Sequence, residues 1–320
     1  MRKKNRLVLI TAACFLLPNF VGFLIFTLGP VVFSFGAAFT NWNLMKTVTF
    51  RWVWFENFTK LFTDPDFWLY LVNTIYLMLG IPISIVASLF LAVLLGQKLR
   101  GIVVYRTLFY LPSFTAGVAL LILWKALYNP NFGPINTLIE MALNAVGLAG
   151  VHAPTWLSST KNLLSLGAER VEIVAGQFGL GARDAIIIMG IWTAAGGGNM
   201  LLYLAGISNI PQELYEAAGI DGAGRWAQFR HVTWPQLAPT TFFIFIMSFI
   251  GGLQGGFEQA RVMTLGGPAG TTTTLSYYIY TKAFEEFQIG YASAVAWVLF
   301  IMIFAVTLVN WRFGSRYVNE

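Results

Sequence analysis

Six apolar stretches alternate with polar connections along the chain: Leu7–Phe39, Phe67–Gly96, Val104–Tyr128, Ala185–Gly206, Leu237–Gly256 and Ala292–Trp311. Each is long enough to cross about 30 Å of hydrocarbon, which takes about 20 helical residues. The pattern predicts an all-α polytopic membrane protein with six transmembrane helices, organised as one domain over residues 1–320. Pro18 or Pro30 is expected to bend the first span, and Pro112 lies inside the third. The first run follows Arg2, Lys3, Lys4 and Arg6, as a signal peptide would, but exceeds the about 7–15 apolar residues of one. It is expected to be a retained signal-anchor helix. A further apolar helix, Ile135–Leu148, is too short to span and is expected to lie on the outer surface. No internal repeat is visible, so the inverted halves of many secondary transporters find no support.

Composition sharpens this picture. Hydrophobic residues make up 57% of the chain and charged ones 11%, against about 25% charged in soluble domains. An ordinary soluble enzyme is excluded, and so is disorder. The net charge of +6 becomes a topology signal once the basic residues are placed. With a cytoplasmic N-terminus, the inside segments hold eleven of the 20 Lys and Arg, including Lys98, Arg100, Arg106, Arg225, Arg230, Arg312 and Arg316. They hold only four of the 14 acidic residues, Glu213, Glu216, Asp221 and Glu320. That bias puts both termini in the cytoplasm and leaves nucleic-acid binding unsupported. Outside lie Thr40–Asp66, where Trp42, Trp52, Trp54 and Phe55 suit the membrane interface, the long loop Asn129–Asp184, and Glu258–Tyr291.

Recognisable catalytic motifs are missing. His152 and His231 fall on opposite sides of the membrane and cannot share a metal, and the single cysteine, Cys14, excludes a disulfide framework. No phosphate-binding loop, zinc-protease motif or nucleophile elbow occurs, which speaks against an ATP site or a catalytic centre in this chain. Asn57-Phe58-Thr59 fits a glycosylation acceptor but is too short a pattern to carry weight. The spans hold almost no ionisable groups apart from Lys125, which can snorkel. A proton-coupled transporter needs such groups.

The connection Asn209–Pro239 carries the most information. Its pattern predicts two short helices: Asn209 capping the first, Pro211 in its opening turn, and Gly219 breaking it, then Asp221 capping a second that continues through Trp226, Phe229 and Arg230. Ala217, Ala218, Gly219, Gly222, Ala223 and Gly224 allow close backbone approach, as for a helix seated in another protein's groove.

This connection resembles the cytoplasmic signature of the permease subunits of bacterial binding-protein-dependent ABC importers. The residues carrying the likeness are Glu216-Ala217-Ala218, Asp221-Gly222-Ala223, Phe229, Val232, Pro235, Leu237 and Pro239. Leu127–Gly133 with Ile135-Asn136, Trp156–Ser158, Thr264–Pro268 with Thr272–Thr274, Ala283-Phe284 and Gly290–Ala294 resemble the carbohydrate, maltose-type branch. The likeness covers about Pro18 to Asn310. Two departures stand out: about 20 extra residues over Ser165–Asp184, and Leu265 where glycine is common.

The resemblance implies a type I ABC importer permease fold in the bacterial inner membrane. It also implies a homologous second permease, two ATPase subunits that bind ATP and Mg, an extracytoplasmic solute-binding protein and a carbohydrate cargo, with no cofactor or metal in this chain. An alternative cargo is a glycerol phosphate or an acidic oligosaccharide. Residues 209–235 would be the coupling loop, in which Glu213, Glu216, Ala217, Ala218, Gly219, Asp221, Gly222, Ala223, Phe229 and Pro235 meet the ATPase. Polar and aromatic groups within the spans are the substrate-path candidates: Trp192, Asn199 and Tyr203 near Gly196–Gly198, then Ser248, Gln254 and Phe257, with Thr193 and Gln259 beside them.

Overall fold

Proline decides where the membrane helices change winding. Pro30 has no amide hydrogen for the carbonyl of Phe26. The helix opens into a π turn over Leu24–Leu28, between α1 (Arg2–Phe23) and α2 (Gly29–Ala37). Pro18, the other expected bend point, sits inside α1. In the same way Pro82 deprives Met78 of its bond, and the Ile81 amide bonds that carbonyl instead at 2.9 Å.

The computed structural model describes residues 2–45, 49–97, 100–115, 117–147, 152–164 and 180–318. After α2 come α3 (Glu56–Thr63), α4 (Pro65–Leu77), α5 (Gly80–Leu95), α6 (Ile102–Phe114), α7 (Gly117–Leu127) and α8 (Pro134–Ala145). Then follow α9 (Ala182–Ala195), α10 (Gly198–Ser208), α11 (Gln212–Ile220), α12 (Arg225–Gln228), α13 (Trp234–Gln236) and α14 (Ala238–Gln254). The chain closes with α15 (Phe257–Gln259), α16 (Leu275–Tyr280) and α17 (Ile289–Val318). Thr40 and Trp52 form an isolated antiparallel bridge.

Thr11–Ala37, Pro65–Leu95, Ala182–Ser208 and Ile289–Arg312 are each long and apolar enough to cross a membrane. Two bent pairs, each taken as one span, bring the described count to six: α6 with α7, bent by 96°, and Arg225–Gln236 with α14, bent by 61°. The expected third span is therefore not one straight helix. Pro112 leaves the Leu108 carbonyl without its bond, and Thr115 is already extended at ψ 129°. The short helix expected over Ile135–Leu148 is found as α8, ending three residues before Leu148. Residues 165–179, most of the extra segment, lie outside the described residues.

The chain falls into two compact units, Met1–Asp64 with Tyr278–Phe300, and Pro65–Tyr277 with Ile301–Glu320. In the first, Trp297 donates to Ser34 Oγ at 3.2 Å and meets Phe35 edge-on. Its polar centre is the half-buried Asp64, which accepts from the hydroxyls of the buried Tyr278 (2.6 Å) and Tyr291 (2.7 Å). Burial, then the bond to Asp64, push the Tyr278 phenol above its ordinary range, so it remains a donor. Asp64→Ala removes the acceptor that both buried phenols share and is expected to cost about 1–3 kcal/mol. Thermal unfolding of the purified chain in detergent reads this, and a loss below about 0.5 kcal/mol would contradict it.

Two apolar clusters hold the second unit. One joins Ile85, Leu89, Ala92 and Leu95 to Met200, Tyr203, Leu204, Leu237 and Ile244. The other gathers Leu120, Leu121, Trp124 and Tyr128 with Trp156, Ala185, Ile186, Met189 and Met263. Asp184, a residue at the edge of the extra segment, is a staple. It accepts from Tyr76 at 2.6 Å and from the amides of Leu163 and Gly181 at 3.1 Å each. One carboxylate thus ties Leu163 and Gly181 to Tyr76 of α4.

Candidate functional site

Glycine breaks the fourth span where the sequence carries three in a row. α9 stops at Ala195, Gly197 is extended (φ −82°, ψ −152°), and α10 starts at Gly198. A Cβ on Gly196 would collide with the backbone carbonyl of Phe109, so α6 crosses here at glycine distance. On α14, a Cβ on Gly252 would lie 2.8 Å from Ile81 and 2.9 Å from Met78. Gly256 sits at φ +86° against Thr274, a position few other residues can hold.

These close approaches enclose a cavity of about 310 Å³ among α4, α5, α9, α10 and α14. That volume is at the lower end of small-molecule sites, about 300–1,000 Å³. Its polar lining is Thr74, Ser84, Asn199, Ser248, Gln259 and Thr274, and among the described residues no ionisable side chain borders it. Thr74 accepts the Leu275 amide and Ser84 bonds the Ile81 carbonyl. The side chains of Asn199, Ser248 and Gln259 make no hydrogen bond among the described residues, so an amide, a hydroxyl and a second amide are available to a guest. Thr274 closes the Gly266–Thr274 loop, which Asn73 Nδ2 holds by donating to the carbonyls of Gly270 (2.8 Å) and Thr273 (3.0 Å).

Of the expected path residues, the structure brings Asn199 and Ser248 together here. Tyr203 is a core residue, fully buried, with its hydroxyl on Thr241 at 3.2 Å. It lies one turn beyond Asn199 on the same helix face, about 6 Å deeper. Trp192 stands off the lining face of α9 and packs edge-on against Trp124. Gln254 is exposed at the end of α14, and Phe257 packs on Tyr277. Gln259 joins the wall in their place. Thr74 and Ser84 were not singled out in the sequence, since a lone hydroxyl in an apolar run usually satisfies its own helix.

The connection between the fourth and fifth spans forms a helical hairpin, with caps other than those expected. Asn209 closes α10, and Pro211 is the residue before α11. Asp221, expected to start the second helix, instead ends the first, with Gly219 inside it. The chain reverses through Gly222 at φ +77°, and Gly224 precedes α12. The reversal needs a left-handed residue, which glycine alone supplies freely. The Ala223 amide donates to Ala218 at 2.9 Å, and Gln228 Nε2 to the Ala223 carbonyl at 3.1 Å, which sets the hairpin angle.

Its root is firm and its tip is bare. Tyr215 and the buried Thr233 share a hydrogen bond of 2.9 Å, Phe229 stacks on Trp226, and Leu237 is fully buried beneath α10. A π turn over Phe229–Thr233 leads into α13, which carries Pro235 in its first turn. Ile220 and Trp226 are 87% and 72% exposed. Glu213, Glu216, Ala217, Gly219, Asp221 and Gly222 are exposed, and the carboxylate of Glu216 makes no hydrogen bond or ion pair among the described residues.

Membrane helices around an uncharged cavity, with a bare hairpin rooted in one of them, make up a polytopic membrane permease. Residues 66–316 match the family of binding-protein-dependent transport system inner membrane components, and the chain belongs to that family. It is 33% identical over its whole length, and 94% of the relative's, to the probable ABC transporter permease protein YesP of Bacillus subtilis (strain 168). It is 34% identical to the lactose transport system permease protein LacF of Rhizobium radiobacter, over 77% of this chain and 76% of that one. Its fold resembles a crystal structure of a bacterial alginate ABC transporter in complex with an alginate pentasaccharide-bound periplasmic protein. The TM-score is 0.77 at 24% identity, covering 98% of this chain and 96% of that one.

Proposed function

We propose that this chain is one of two homologous permeases in an ATP-driven importer. It passes a sugar or short oligosaccharide from an extracytoplasmic binding protein to the cytoplasm. The observation that carries the reading is the trio of unused neutral donors and acceptors, Asn199, Ser248 and Gln259, facing a cavity without charge. Sugar hydroxyls pair with such groups without the desolvation that a charged partner would impose. The lactose permease among the relatives supports the cargo class.

Both termini and the α11–α12 hairpin face the cytoplasm in this reading. The hairpin, with Glu213, Glu216, Ala217, Ala218, Gly219, Asp221, Gly222, Ala223, Phe229 and Pro235, seats in one of two ATPase subunits, which hold the ATP and Mg. Closure of the ATPases moves the hairpin, and its bonded root passes the movement to α14. The extra segment 165–184 reaches the binding protein or the partner permease.

The test is uptake by the complete transporter in vesicles. Asn199→Ala and Ser248→Ala are each expected to slow uptake about two- to tenfold, the worth of one hydrogen bond, with assembly intact. Unchanged uptake in both variants would remove the cavity from the path.

A further inference from the structure

The first unit holds a separate cavity of about 240 Å³, bordered by Trp42, Arg51, Glu56, Lys60, Gln288 and Tyr291. Its floor is built from satisfied, buried groups. Tyr291 donates to Asp64, and Asn57 donates to the carbonyls of Ala38 (2.8 Å) and Thr40 (2.9 Å). Arg51 is held in place by its backbone: its amide donates to Asn41 Oδ1 at 2.7 Å and its carbonyl accepts from the Asn41 amide at 3.1 Å. The rim is charged and exposed. Lys60 Nζ lies 4.9 Å from the centre of the Tyr291 ring. The guanidinium of Arg51 and the carboxylate of Glu56 make no hydrogen bond or ion pair among the described residues. Two cations and one anion thus border a floor of satisfied groups.

The place of the cavity narrows what fills it. α2 ends at Ala37, four residues before Asn41, and α17 begins at Ile289, within the cavity wall. Two membrane helices therefore meet the polar region at this level. Around it Phe50, Trp52, Trp54 and Phe55 are 57%, 58%, 69% and 64% exposed. Bare aromatics at helix ends are the mark of headgroup depth.

We propose that this cavity holds the headgroup of a phosphatidylethanolamine, a phospholipid with a phosphodiester and a primary ammonium. The guanidinium fork of Arg51 and the ammonium of Lys60 face the phosphodiester oxygens. The carboxylate of Glu56 faces the lipid ammonium. The arrangement discriminates by charge and by donors. A phosphatidylglycerol satisfies Arg51 and Lys60 but brings no cation to Glu56. A choline headgroup brings a cation with no N–H for that carboxylate to accept. The lipid so held ties the Asn41–Lys60 layer to the bilayer, independently of the cargo path.

Native mass spectrometry tests this on the full-length chain purified in detergent and exposed to mixed micelles. The micelles carry dioleoyl phosphatidylethanolamine, phosphatidylglycerol or phosphatidylcholine. Retention of phosphatidylethanolamine is expected to exceed that of phosphatidylcholine about tenfold, the worth of one charge-assisted hydrogen bond. Arg51→Gln, or Lys60→Gln should the first variant unfold, lowers retention of both phosphatidylethanolamine and phosphatidylglycerol. Glu56→Gln lowers only the former, so that the two lipids bind alike. Equal retention of the ethanolamine and choline lipids by the unaltered chain overturns the proposal, as do variants that retain lipid unchanged. Displacement by soluble glycerophosphoethanolamine at the lipid's own concentration overturns it in favour of a free solute. Lost stimulation by the binding protein in the assembled transporter, with lipid retention unaltered in Arg51→Gln and Glu56→Gln, assigns the cavity to protein docking instead.

Discussion

Ile220→Glu is expected to cut uptake and binding-protein-stimulated ATP hydrolysis together, by about 30-fold, while the chain stays folded. Ile220 is 87% exposed, so its side chain does almost nothing for the fold. A surface change of this kind alters stability by less than about 0.5 kcal/mol. Yet an aliphatic side chain held bare at the tip of a hairpin, near an exposed Trp226, has the composition of an interface anchor. Loss of such an anchor from an interface centre costs about 2 kcal/mol or more, hence the factor. A glutamate there adds a buried, unpaired charge to the loss. Normal uptake by the Ile220→Glu transporter would mean that the tip touches nothing that matters.

Gly196→Ala is expected to disrupt the second unit by about 2–4 kcal/mol, and Gly198→Ala, two residues away, to leave it unharmed. At Gly196 the added methyl meets the carbonyl of Phe109, a backbone atom that cannot turn aside. Overpacking against backbone costs about 1–3 kcal/mol before the loss of neighbouring contacts. At Gly198 the same methyl meets nothing within 4 Å, and alanine in a helix gains about 0.5–1 kcal/mol over glycine. Thermal unfolding of both variants decides the matter, since equal stabilities would show that α6 does not approach Gly196 as described.

Hydrophobic run length was enough to locate four continuous spans and two bent helix pairs, because a helix that crosses a bilayer has few other solutions. It could not place the breaks inside them. Pro112 and Pro82 were visible, but whether a proline bends a helix or ends it depends on what replaces the lost bond. Met78 keeps a bond to Ile81, so α4 and α5 remain one span, whereas Thr115 turns extended and α6 swings away from α7. The caps of the hairpin were misread for a similar reason. Asn209 and Asp221 are good N-caps in isolation, yet each is needed where the preceding helix closes, and Gly224 is left to open α12.

The path residues divide along the same lines. Composition points to neutral polar groups beside glycines as path candidates, and of these Asn199 and Ser248 border the cavity. Depth along a helix is not written in composition, and so Tyr203, one turn further, lies in the core with Thr241. Asp184 was noted only as the edge of an extra segment. Its role as a three-way acceptor for Tyr76, Leu163 and Gly181 depends on chain returns that no local pattern reveals.

The most direct measurement places a photo-crosslinking amino acid at residue 220 of the assembled transporter in sealed vesicles of known sidedness. Irradiation is predicted to join the chain to the nucleotide-hydrolysing subunit, with a yield that changes when ATP is bound. Crosslinking to the external binding protein, or protection of residue 220 only by reagents added outside, would contradict the account at its base.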